Sequence, residues 1–152
     1  MNYWLMKSEP SAYSIDDLEN HPKQTTPWDG VRNYQARNFM RDKMKIGDQA
    51  FFYHSNCKEI GIVGIMEVCS EPYPDFTAFD PDDHHFDAKS DPDNPRWFMV
   101  DLKFVEKFPR TITLAELKAN PKLEEMLILR KGNRLSITPV SKADWNRVLK
   151  ML

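Results

Sequence analysis

Cysteine and glycine are both scarce in this chain of 152 residues. It has two cysteines, Cys57 and Cys69, and five glycines. The cysteines form no CxxC motif and no cluster of cysteine and histidine with the spacing of metal ligands, so the pattern argues against a zinc ribbon or a thiol redox site. We therefore expect reduced thiols, as in proteins of reducing compartments, and no disulfide framework.

Long apolar runs are also missing. Lys7 interrupts the only apolar stretch near the start after a few residues, far short of a signal peptide or a membrane span. This length is typical of one domain. We expect a single domain over residues 1–152, a cytoplasmic location and no membrane partner.

The net charge of -2 gives no excess of either sign, yet the charge is unevenly distributed. Residues 28–45 carry five bases against two acids, and residues 130–150 carry six bases against one acid. Residues 71–95 carry eight acids, one base and five prolines. The basic stretches are compatible with a phosphate-binding face. The acidic stretch is predicted to be a long surface loop, and the surface for a protein partner if there is one.

Short strands and short helices follow one another without regular alternation. Strands are predicted at 3–6, 49–55, 60–69, 96–104 and 135–137. Capping patterns predict helices after Ser14, Thr113 and Ser141. This order favours an α+β domain with a small, mostly antiparallel, barrel-like sheet flanked by short helices.

The segment Trp28–Asn38 concentrates aromatic, amide and arginine side chains. Asp29-Gly30 indicates a turn, and Ala36, Phe39 and Met40 recur at helical spacing. Polar residues before a helix lie near its unpaired N–H groups, which attract anions and carbonyl groups. The segment is therefore predicted to bind a planar, polar, anionic ligand.

Four segments resemble motifs of the EVE domain family: Tyr3–Pro10, Trp28–Asn38, Phe52–Ser55 and Leu135–Val140. The resemblance implies a PUA-like pseudo-barrel, related to YTH, ASCH and PUA domains. It also implies a non-catalytic reader of modified bases in DNA or RNA, with modified cytosine the expected ligand and no cofactor. Lys7-Ser8 resembles the Lys-Ser pair of YTH readers. Arg32, however, follows Gly30-Val31 where those readers have a cage tryptophan, which argues against methyladenine.

A base taken out of its stack needs an aromatic face, polar groups for its edge and cations for the flanking phosphates. The candidates for the face are Trp28 and Tyr34. The candidates for the edge are Ser8, Asn33, His54 and Ser55. The candidates for phosphate are Lys7, Arg32 and Arg37. The predicted site comprises Lys7, Ser8, Glu9, Trp28, Val31, Arg32, Asn33, Tyr34, Arg37, Asn38, Tyr53, His54, Ser55, Leu135 and Ser136.

Other functions stay open at this point. The domain could bind RNA without choosing modified bases, or bind a protein, and Trp28 and Tyr34 could simply be core residues. An enzyme is not expected, because adjacent strand residues such as His54 and Ser55 point to opposite faces and cannot readily form a dyad. No metal site is expected, because the Asp82–Asp87 cluster lacks a rigid ligand spacing.

Overall fold

The structure, a computed structural model, describes residues 1–152. The strands are β1 (Tyr3–Ser8), β2 (Thr25–Pro27), β3 (Gln49–His54), β4 (Gly61–Val68), β5 (Tyr73–Pro74), β6 (Phe98–Met99), β7 (Asp101–Thr113) and β8 (Ile137–Val140). The α-helices are α1 (Ile15–Asn20), α2 (Tyr34–Asn38), α3 (Leu114–Ala119) and α4 (Lys142–Leu149). A π-helical turn, Phe39–Lys43, extends α2. None of the helices has the length and apolar character that crossing a membrane requires.

Six strands form one curled sheet in the order β2-β7-β4-β3-β1-β8, while β5 and β6 pair separately. Only β1 and β3 run parallel, and every other pair is antiparallel. The sheet curls into a half-barrel with short helices on both faces. The predicted α+β class, with a mostly antiparallel sheet, is confirmed.

Each face of the sheet has its own hydrophobic core. Alternation along β3 sends Phe52 to one core, with Ile15 and Leu18 of α1, and sends Phe51 to the other. In the second core the ring of Phe51 stacks on Trp145 of α4 at a centroid distance of 3.8 Å. Burying one such side chain contributes about 1.5–3 kcal/mol, so these two layers hold the helices on the sheet.

Helix starts follow the local sequence closely. Ser14 and Asp17 form a reciprocal capping box at α1, and Thr113 and Glu116 form another at α3. Ser141 caps α4 through the N–H of Asp144. Each cap contributes about 1 kcal/mol to stability. All three predicted helix starts are confirmed.

Glycine lets two other segments of the chain approach β4 closely. A Cβ atom at Gly64 would overlap the side chain of Ile15 and the carbonyl group of Glu106. The pairing register between β4 and β7 also shifts between Ile62 and Gly64. The strand bends at this point, as isolated glycines in a strand indicate.

The acidic segment 71–95 is not the plain surface loop that its composition predicts. It contains β5 and a 3₁₀ turn, Phe76–Phe79, and it buries Asp75, Thr77 and Ala78. The reason is that five of its seven aspartates organise the backbone, each of the five accepting a hydrogen bond from the N–H two residues further on. The residues that do so are Asp75, Asp80, Asp83, Asp87 and Asp91.

The last strand, predicted at 135–137, instead runs over Ile137–Val140 and includes Pro139, which pairs with Trp4. The strand tolerates it because β8 is an edge strand of the sheet. The strand predicted at 96–104 is broken after Met99, and its second part continues as β7 to Thr113.

Candidate functional site

A cavity of about 380 Å³ opens where the ends of β1 and β2 meet the acidic segment. Its lining combines aromatic, apolar, hydroxyl, acidic and basic groups from five parts of the chain. The lining residues are Lys7, Ser8, Ala12, Tyr13, Thr26, Pro27, Trp28, Asp29, Gly30, Val31, Arg32, Asp83, His84, His85 and Ser136.

Trp28 belongs both to the core and to the cavity wall. Its side chain is 8% exposed and meets Phe52 edge to face at 5.5 Å. Its backbone N–H donates to the carbonyl of Val100 at 2.9 Å, which fixes the start of the wall to the chain between β6 and β7. The two interpretations of this residue from sequence are therefore compatible, because Trp28 packs against Phe52 in the core and also borders the cavity.

Gly30 brings the wall into contact with the acidic segment. It has a φ of 78°, and its N–H donates to the Asp75 carboxylate at 2.8 Å. A Cβ atom here would overlap the imidazole of His85. Only glycine combines this backbone conformation with so close an approach.

Arg32 is fully engaged within the protein. Its five N–H groups donate to the carbonyls of Val31 and His85, to Thr77 and to the carboxylate of Asp75, which it meets at 3.0 Å. No donor is left for a phosphate, which argues against the phosphate contact predicted for Arg32. Its role in this structure is to fasten the acidic segment over the cavity.

Asp75 is the centre of this fastening. Burial alone would raise the pKa of its carboxyl group, but hydrogen bonds from Thr77, Gly30 and Arg32 outweigh burial and hold the pKa below its usual range. The carboxylate is fully buried and ionised, with its charge balanced by Arg32.

The wall formed by the end of β1 carries the free cation of the cavity. The backbone N–H of Lys7 donates to Ser136 at 2.8 Å, and the hydroxyl of Ser8 donates to the carbonyl of Tyr13 at 2.6 Å. The ammonium group of Lys7 makes no ion pair, and partial burial lowers its pKa. Lys7 can therefore donate to a ligand.

Asp83, His84 and His85 form the remaining side, and their polar atoms lie within 4.8 Å of one another. Asp83 accepts from the N–H of His85, and the side chain of His84 is 85% exposed. These are the residues that could hold a cation in this chain. The expectation that there is no metal stays a prediction.

A column of aromatic and cationic groups leads from the cavity along α2. The guanidinium of Arg32 lies 5.4 Å from the ring centroid of Trp97, and Trp97 stacks on Tyr34 at 4.9 Å. Arg37 then lies 4.8 Å from the centroid of Tyr34. Tyr34 is 53% exposed, so this column ends in an open aromatic and cationic surface.

Six of the fifteen predicted site residues line the cavity: Lys7, Ser8, Trp28, Val31, Arg32 and Ser136. The other nine lie outside its lining: Glu9, Asn33, Tyr34, Arg37, Asn38, Tyr53, His54, Ser55 and Leu135. Tyr34 and Arg37 form the outer column. Tyr53 lies in the core on the opposite face of the sheet, where burial raises its pKa to about 12.

Several of these nine have structural partners instead. Asn33 caps α2 by accepting from the N–H of Ala36, and Asn38 accepts from Arg37. His54 accepts a hydrogen bond from the N–H of Ile15 at 3.1 Å, and burial lowers its pKa, which keeps the accepting nitrogen unprotonated.

The remaining three flank the cavity. Glu9 accepts from Asn56, Ser55 donates its N–H to the carbonyl of Ser8, and the N–H of Leu135 donates to Asn133. The binding roles of all nine stay predictions.

Nine lining residues were not predicted: Ala12, Tyr13, Thr26, Pro27, Asp29, Gly30, Asp83, His84 and His85. Asp29 and Gly30 stand inside the predicted segment and could have been included as its turn. His84 and His85 stood out as a cluster, but no sequence pattern brings them to Gly30.

A curled, mostly antiparallel half-barrel with short helices on both faces is the architecture of a PUA-like α+β domain. The chain belongs to the EVE domain family, whose model matches residues 2–151. This confirms the family that the motifs indicated.

Human thymocyte nuclear protein 1 is 48% identical over an alignment 166 residues long, gaps included. The alignment covers 99% of this chain and 73% of the relative. A crystal structure of the human protein (THYN1), in complex with DNA containing 5-methylcytosine, has a TM-score of 0.93 at 48% identity, covering 99% of this chain and 97% of the other. A YTH domain from Zygosaccharomyces rouxii, in complex with N6-methyladenosine RNA, has a TM-score of 0.57 at 11% identity, covering 99% and 85%. That distant likeness concerns the fold alone.

Proposed function

We propose that this protein is a non-catalytic reader that accepts a flipped or single-stranded modified base, with modified cytosine the expected ligand, in the cavity beside Trp28. The observation that carries the proposal is this cavity in a chain 48% identical to a protein whose structure contains 5-methylcytosine DNA. The partner would be DNA or RNA carrying the modified base.

The chemistry of the cavity supports the proposal. Trp28 offers an aromatic border, and base–aromatic stacking is worth about 1–3 kcal/mol. Val31, Pro27 and Ala12 offer apolar surface for a methyl group. Lys7 offers an unpaired donor for a carbonyl oxygen of the base or for its phosphate.

The outer column supplies a second contact for the same strand. Tyr34 presents an exposed ring, and two N–H groups of Arg37 are not used within the protein. We infer that neighbouring nucleotides lie along this surface, with Arg37 at a phosphate. Arg37→Ala is then expected to weaken every oligonucleotide equally and to flatten the dependence of affinity on salt.

The test is fluorescence anisotropy of labelled single- and double-stranded oligonucleotides that carry 5-methylcytosine or cytosine at one central position. The parent is expected to prefer the methylated strand. Lys7→Gln is expected to lose about 10–100-fold in affinity, since a hydrogen bond to a charged group is worth about 1.5–3 kcal/mol. Lys58→Gln is the matched control, because Lys58 is exposed and lies outside the cavity lining.

The outcomes separate the alternatives. Equal affinity for methylated and unmethylated strands would leave an RNA- or DNA-binding module without modified-base specificity. No affinity for any strand would leave a protein-interaction domain, with the outer side of segment 71–95 as the surface to probe. The cytoplasmic location and the absence of catalysis stay predictions.

A further inference from the structure

Asp29 is the carboxylate of the cavity that the protein itself does not use. Asp75 accepts from Gly30, Arg32 and Thr77, and Asp83 accepts from the N–H of His85. Asp29 makes no ion pair and no hydrogen bond to another residue, although it lines the cavity. A free acceptor in a binding cavity is available to a ligand that carries N–H groups.

The backbone on both sides of Asp29 is held firmly. The N–H of Trp28 is bonded to Val100, and the N–H of Gly30 is bonded to the buried Asp75. Asp29 therefore stands at a fixed position between the aromatic border and the glycine contact. Partial burial, followed by the nearby carboxylate of Asp75, raises its pKa from the ordinary value. A carboxyl group of this kind would gain from a hydrogen-bond donor in the cavity.

The charge around Asp29 indicates which part of a nucleotide enters the cavity. Asp83 is a second carboxylate in the lining, and the guanidinium of Arg32 is already paired with Asp75. A phosphate placed here would face two carboxylates, with Lys7 as the only unpaired lysine or arginine of the lining. A neutral base with an amino group would instead find an acceptor at Asp29 and a donor at Lys7.

We propose that Asp29 accepts a hydrogen bond from the exocyclic amino group of the inserted base and so selects cytosine-type bases over thymine and uracil. This inference rests on the proposed function. Asp and Glu are suited to accept from the amino group of cytosine. Thymine presents a carbonyl oxygen at the same ring position, so two acceptors would face each other and neither could be satisfied.

5-Methylcytosine and thymine form the matched ligand pair, because both carry the 5-methyl group. They differ at position 4, where an amino group replaces a carbonyl oxygen, and at the adjacent N3, which accepts in cytosine and donates in thymine. The experiment compares single strands that are identical except for a central 5-methylcytosine, cytosine, thymine, uracil or abasic site. The parent is expected to bind 5-methylcytosine at least about tenfold more tightly than thymine. The cytosine and uracil strands report the contribution of the methyl group separately.

Asp29→Asn is expected to remove or reverse the preference for 5-methylcytosine over thymine, since an amide can turn its N–H groups toward the carbonyl oxygen. Asp82→Asn removes the same charge from an exposed residue near the cavity and is expected to leave the ratio unchanged. Asp29→Glu keeps a carboxylate acceptor and is expected to keep the direction of the preference. It is the variant to measure if Asp29→Asn does not fold.

The two proposals fail in different ways. If the parent binds no base better than an abasic site, base reading itself is refuted, and the role of Asp29 with it. If the parent prefers 5-methylcytosine to cytosine but binds thymine equally well, base reading stands and selection by amino group is overturned. It is also overturned if Asp29→Asn, folded as judged by thermal unfolding, keeps the parent ratio.

Discussion

Substitution of Asp75 by asparagine tests how the acidic segment is fastened over the cavity. The carboxylate accepts four hydrogen bonds, from the N–H of Gly30, from Arg32, and from the N–H and hydroxyl of Thr77. Asparagine keeps one acceptor oxygen, removes the charge that balances Arg32, and turns an NH₂ group toward other donors. Breaking a buried ion pair costs about 3–5 kcal/mol. The side chain of Arg32 is 24% exposed, so we expect the lower end of this range.

A loss of about 3 kcal/mol corresponds to a fall of about 6–12 °C in Tm for a chain of this length. Thermal unfolding followed by circular dichroism measures it. The matched control is Glu125→Gln, which breaks an exposed ion pair with Arg130 and should cost at most about 1 kcal/mol. If both variants unfold at similar temperatures, Asp75 does not hold the segment and the account of the cavity wall is wrong.

The pH dependence gives an independent check, because the pKa of Asp75 is lowered in the folded protein. Such a group stabilises the folded state fully above its unfolded pKa, about 3.9, and loses this contribution as the pH falls through the lower folded value. The difference in free energy of unfolding between parent and Asp75→Asn should therefore be constant above about pH 5 and shrink below about pH 4. A constant difference down to strongly acidic pH would contradict the charge assignment.

Three further predictions follow from single contacts. Gly30→Ala should lower the free energy of unfolding, measured in urea, by more than Gly47→Ala does. Both glycines have positive φ, but only at Gly30 would a Cβ atom overlap another side chain. Equal losses would contradict the contact between Gly30 and His85. Trp28→Ala should cost about 3–5 kcal/mol while Trp28→Phe keeps most of the stability. A bound base should quench Trp28 emission in the parent, and unchanged emission on saturation would refute its place in the wall. The stability of the parent should fall as the pH drops below about 6.5, since protonation of His54 removes the acceptor for Ile15, and His54→Asn should lack this step.

Local patterns predicted most of the framework. The caps at Ser14 and Thr113 need only residues three positions apart, and strand alternation needs only neighbours, so these features can be recognised along the sequence. The continuation of the last strand through Pro139 was not predicted, because whether a strand tolerates proline depends on its place at the sheet edge, which the local sequence does not contain.

The cavity was predictable only on one side. Trp28, Val31 and Arg32 stand in a recognisable segment, whereas their partners Asp75 and His85 come from a part of the chain more than forty residues away. Polar residue types were also ambiguous. Asn33 and His54 have the chemistry of base readers, but the same acceptor atoms satisfy helix N–H groups in this fold.

The cavity has one wall built into the sheet and one wall supplied by Asp83, His84 and His85. Substitution in the first wall disturbs β1, β2 or the core beneath Trp28. The second wall is shaped by local aspartate turns and tied down through Asp75, which lies before it in the chain. It is also tied to the first wall, since Arg32 donates to the carbonyl of His85, and Trp97 donates to Asp87 just beyond it. The side chain of His84, in contrast, is 85% exposed. Substitution of His84 should therefore change the surface of the cavity at little cost in stability, whereas substitution of its neighbours disturbs the contacts that hold the segment.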